Sequence, residues 1–77
     1  MDIEVDELNR VWHTSREGKT YLLESDDQVT LVNSGIESCV VQRLSAGLDR
    51  IYALCNDATV YEFMNTGSTW QLADYTA

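Results

Sequence analysis

The chain has 77 residues, with 13 acidic against 5 basic side chains and a formal charge of −8. This length allows one small domain, whose core covers only about 60–65% of the surface that the unfolded chain exposes. Phosphate binding needs clustered Lys and Arg, so the charge balance excludes nucleic acid and an anionic membrane as partners; it suits solubility or a basic protein surface.

Met1–Glu7 alternates Ile3 and Val5 with Asp2, Glu4 and Asp6. That is the period of a short strand, with acids that discourage pairing with strangers. A helix over Val5–Val11, capped by Asp6, is the second choice. Leu8–Thr14 supplies Leu8, Val11 and Trp12, and Ser15-Arg16-Glu17-Gly18 predicts a turn. Lys19–Ser25 predicts a strand, Asp26-Asp27 a turn and Gln28–Asn33 a further strand. The last of these is apolar on both faces and is expected to be covered on both. Ser34-Gly35 breaks it, and Ile36–Val41 begins another strand.

From there the pattern is clearer. Val40–Ala46, Arg50–Cys55, Thr59–Met64 and Ser68–Ala73 are rich in Val, Ile, Tyr, Phe, Thr and Trp. Asn56-Asp57 and Asn65-Thr66-Gly67 punctuate them. No helical period fits, and the stretch predicts an antiparallel meander.

Few residues carry reactive chemistry. Cys39 and Cys55 are the only cysteines and His13 the only histidine. They make a poor zinc set, and no metal or cofactor is expected. Two buried thiols are the preferred interpretation of the cysteines, with a Cys39–Cys55 disulfide left open. A nucleophile needs a base and a group to orient that base, and no local motif supplies them. The chain therefore reads as a non-enzyme. It contains no apolar run long enough to span a membrane and no signal-peptide pattern, so a cytoplasmic location is expected.

The two halves align. Thr20–Val32 overlays Ile51–Phe63 without a gap, matching Tyr21 to Tyr52, Leu23 to Leu54, Asp26 to Asp57 and Val29 to Val60. One residue more of offset brings Trp12 onto Leu44 and Gly35 onto Gly67. The implied repeats are about residues 8–41 and 42–77. Each would be a four-stranded sheet with apolar residues on both faces, and covering those faces is its main available stabilisation. Radial stacking does this in a β-propeller of about 4–8 blades. Two units cannot close a ring, so self-association of two, three or four chains is expected.

The segment LSAGLDRIYALCNDATVYEFMNTGSTWQLAD, Leu44–Asp74, resembles a blade of the tectonin and tachylectin-type propellers. It is also similar to the fucose-binding propeller lectins of fungi and bacteria, and the ADYTA ending resembles theirs. The resemblance implies a lectin-like carbohydrate-binding module, with two blades per chain and a homotrimeric ring. It also implies a sugar site made by an Arg on the second strand, a Glu on the third and a Trp just beyond. Arg50, Glu62 and Trp70 match those positions. In the first repeat Lys19, Leu31 and Glu37–Ser38 stand there instead, so that copy lacks the trio.

The trio suits sugars on chemical grounds. An Arg fork and a carboxylate hold adjacent hydroxyls, and an indole covers the apolar side of a ring. The competing interpretation makes Arg50–Glu62 a cross-strand ion pair and Trp70 a core anchor. The expected fold is thus all-β, two propeller-like blades per chain completed by oligomerisation, with a monomeric small β-barrel or sandwich as the alternative. The expected function is non-catalytic recognition of a glycan. The alternative is an acidic module or inhibitor that docks on a basic partner surface.

Overall fold

Side-chain alternation decides which face of each strand is covered. In the computed structural model, which describes residues 2–23 and 28–73, all regular elements are strands. The expected Asp26-Asp27 turn, the end of the strand expected over Lys19–Ser25 and the residues after Ala73 lie outside the described residues. The strands are β1 (Ile3–Val5), β2 (Val11–Thr14), β3 (Thr20–Leu23), β4 (Val29–Leu31), β5 (Val41–Ala46), β6 (Arg50–Cys55), β7 (Val60–Met64) and β8 (Gln71–Leu72). They form two antiparallel four-stranded sheets in the orders β1-β2-β3-β4 and β5-β6-β7-β8. The helix considered for Val5–Val11 does not form.

The sheets meet face to face. Trp12 and Leu22 of the first sheet pack with Val41, Leu44, Ile51, Ala53 and Phe63 of the second, together with Ile36 and Trp70. The rings of Trp12, Phe63 and Trp70 contact one another edge-on or tilted, with centroids 5.1–5.8 Å apart. Such pairs add about 0.5–1.5 kcal/mol each beyond the area they bury. Backbone hydrogen bonds stitch the same seam: Val41 N–H donates to the Gly18 carbonyl at 3.0 Å and Trp70 N–H to that of Ser34 at 2.8 Å. Gly18 adopts φ +80°, and a Cβ there would strike Val40. Only glycine lets this turn approach β5 so closely.

Cross-strand partners superpose under the shift seen in the sequence. Trp12 faces Leu22 as Leu44 faces Ala53, and Leu22 faces Thr30 as Ala53 faces Tyr61. Buried and half-buried positions alternate identically along Thr20–Leu23 and Ile51–Leu54. The sheets are nevertheless offset by one strand. β2, β3 and β4 match β5, β6 and β7; β8 then completes the second sheet, whereas β1 completes the first from the opposite edge. Residues 33–40, which would have supplied the counterpart of β8, serve as the crossover to β5. Ile36 on that crossover is fully buried, so the strand expected from Ile36 begins only at Val41.

Two further expectations change. β4 is exposed along its whole length, with Val29 57% and Leu31 49% exposed, and no described residue covers its outer face. Cys39 and Cys55 form a disulfide, with Cα atoms 5.5 Å apart, since the crossover returns to the end of β6.

Candidate functional site

β6 and β7 carry Arg50 and Glu62 on the side of the second sheet that faces away from the first. Ile51 and Phe63 point into the core, so their neighbours Arg50 and Glu62 point out. Arg50 Nη1 donates to Glu62 Oε2 at 2.5 Å. Its Nε and Nη2 donate to both carboxylate oxygens of Asp49, at 2.8 and 3.1 Å. Asp49 was not singled out in the sequence. Hydrogen bonding from Arg50 holds the Asp49 carboxyl below its ordinary range. The bonds from Asp49 and then Glu62 push the Arg50 guanidinium up. One cation between two carboxylates leaves this cluster one charge negative. It offers carboxylate acceptors to hydroxyl groups and repels anions.

Trp70 does not join the pair. The residue is 2% exposed, its ring lies against Trp12 and Phe63, and its indole N–H donates to the Val32 carbonyl at 2.9 Å. It therefore presents no face to a ligand in this chain. The aromatic ring beside the pair is Tyr52, the cross-strand partner of Glu62, which is half-buried on the same outer face. In the sequence it is the repeat partner of Tyr21 and part of the strand Arg50–Cys55.

A concave feature opens elsewhere, where the two sheets meet. This cleft of about 330 Å³ lies between Arg10, Thr30, Asn33, Ser34, Phe63 and Ser68. Arg10 is fixed by Asp6, whose buried carboxylate accepts from Arg10 Nε at 2.8 Å, from Trp12 Nε1 at 2.9 Å and from the backbone N–H groups of Leu8 and Arg10. Burial pushes the Asp6 carboxyl up, but the bonds from Trp12 and Arg10 outweigh it and hold the group below its ordinary range. The i, i+4, i+6 spacing of Asp6, Arg10 and Trp12 was the available signal: an acid between apolar residues needs donors.

The outer face of the first sheet is of another kind. Ile3, His13, Tyr21 and Leu31 form one cross-strand row, and Val5, Val11, Leu23 and Val29 the next. His13 stacks on Tyr21 with ring centroids 5.3 Å apart. Ile3, Val5, Val29 and Leu31 are each about half exposed or more, in one continuous apolar patch. Surfaces of this kind mark interaction sites. Among the described residues, no three His, Cys, Asp or Glu side chains come together to hold a metal.

Comparison with known protein families, curated proteins and solved structures gives no match to the chain.

Proposed function

We propose that the chain is a non-catalytic binding module that works as part of a homo-oligomeric ring, with a carbohydrate as its ligand. The observation that carries the assembly is the two-row apolar face of the first sheet. A second copy covers it by presenting the outer face of its own second sheet, where Tyr52, Leu54, Val60 and Met64 lie among polar groups. That contact is head-to-tail, and such contacts generate rings when the rotation closes. A trimer gives six sheets.

The Asp49–Arg50–Glu62 cluster then sits at the junction between copies. Its carboxylates accept bonds from sugar hydroxyls, the guanidinium donates to ring or hydroxyl oxygens, and Tyr52 supplies the apolar contact. The test is a glycan array probed with the unmodified protein and with Arg50→Ala. Retention of one glycan class, lost in the variant at unchanged fold, supports the proposal. A flat array for the unmodified protein ends the carbohydrate assignment.

A further inference from the structure

Of the four sheet edges, three are guarded against strand pairing. β1 has Glu4 at its centre. β5 contains a register shift between Val41 and Arg43, and the Asp2 carboxylate occupies its Leu44 N–H at 2.8 Å. β8 is only two residues long. Bulges, charges and short length are the usual protections of an edge. β4, three residues long, has neither bulge nor charge among the described residues: Val29, Thr30 and Leu31 pair with β3 without a register shift and are uncharged, exposed and free of proline.

The second sheet supplies a template for what pairs there. β4 corresponds to β7, and β7 is covered by β8: Tyr61 faces Leu72, Glu62 faces Gln71, and Ala73 N–H donates to the Val60 carbonyl at 2.9 Å. Shifted back by the repeat, the Val60 carbonyl becomes that of Val29. On the inner side, Val32 N–H donates to the Thr20 carbonyl at 2.9 Å. Alternation then turns the backbone groups of Thr30 toward β3 and those of Val29 and Leu31 outward. The outward groups are in the position that β8 occupies on β7, and the crossover has taken the residues that would have filled it.

We infer that the β4 edge is a strand-addition site that takes an extended peptide segment with basic flanks from another protein. Main-chain bonds to Val29 and Leu31 supply the affinity, as in other β-augmentation interfaces. The chain's charge of −8 selects basic flanks over acidic ones. The site uses the edge rather than the face of the first sheet, so it stands whether or not the ring forms and whether or not a glycan binds.

The probe is a synthetic peptide of alternating Val and Thr flanked by Lys at both ends. Controls are the same peptide with Glu flanks and one N-methylated on its backbone. The expected result is slowed hydrogen exchange at the Val29 and Leu31 amides with the Lys-flanked peptide. Binding weakens at least several-fold with Glu flanks, and it is lost with the N-methylated peptide and in Val29→Pro. Proline is tolerated at an edge position whose N–H faces solvent, so Val29→Pro keeps the sheet. The N-methylated peptide gives the same information should that variant misfold. No protection with any peptide, equal binding of the N-methylated peptide, or, in Leu31→Asp, whose altered face a second copy no longer covers, protection of the Val29 amide that rises with protein concentration alone would each overturn the inference. The last outcome assigns the edge to a second copy.

Discussion

At the scale of single residues, Asp6 ties the turn between β1 and β2 to the core residue Trp12. A buried carboxylate is tolerable only when its lone pairs are used, and here an indole, a guanidinium and two backbone N–H groups use them. Its folded-state carboxyl is held low, so its contribution is fully present above the unfolded value of about 3.9 and is lost as pH falls through the folded value. Asp6→Asn should cost about 2 kcal/mol at neutral pH, because charge-assisted bonds become neutral ones. The gap to the unmodified protein should then close as pH falls below the unfolded value of about 3.9 and through the lower folded one. Urea midpoints against pH test this; parallel curves would contradict it. The sequence held part of this node, since Asp6 was weighed there as a helix cap. Its actual partners lie on a turn and a strand, and only the path of the chain through Leu8 and Asn9 (φ 62°) brings them together. Trp70 shows the opposite limit. A closing Trp fits a binding surface or a core equally well by pattern, and only the packing against Trp12 and Phe63 decides.

At the scale of elements, strands were legible wherever alternation was strict. Thr20–Leu23 and Arg50–Cys55 bury every second residue, and both stood out in the sequence. Residues 33–40 did not, because Ile36, Cys39 and Val40 resemble a strand while serving as a crossover. That crossover explains both the missing fourth strand after β4 and the disulfide, two non-local consequences that residue spacing could not reveal. The Cys39–Cys55 bridge spans 16 residues. On the chain-entropy account a loop of this size is worth about 3 kcal/mol. Reduction, or the double variant Cys39→Ala/Cys55→Ala, should lower unfolding stability by about 2–3 kcal/mol. Superposable urea curves with and without reductant would refute this. Such bridges persist in oxidising compartments and open in the cytoplasm.

At the scale of the whole molecule, a single chain spends its best apolar residues on one seam and leaves two outer faces. The second sheet's outer face is mixed, with Arg43, Ser45, Arg50 and Glu62 among its apolar members. The first sheet's outer face has two rows of apolar side chains with His13 in their midst. At about 25 cal/mol per Å² of apolar area, covering that face would add to the protein's stability. A two-sheet sandwich and a pair of stacked blades are the same object within one chain, and they differ only in whether that face meets another copy. Sedimentation equilibrium separates them directly, comparing the unmodified protein with Leu31→Asp. The account predicts a closed assembly, three chains at the favoured ring size, that falls to single folded chains in the variant. An unmodified protein that stays a single folded chain as its concentration rises would contradict it.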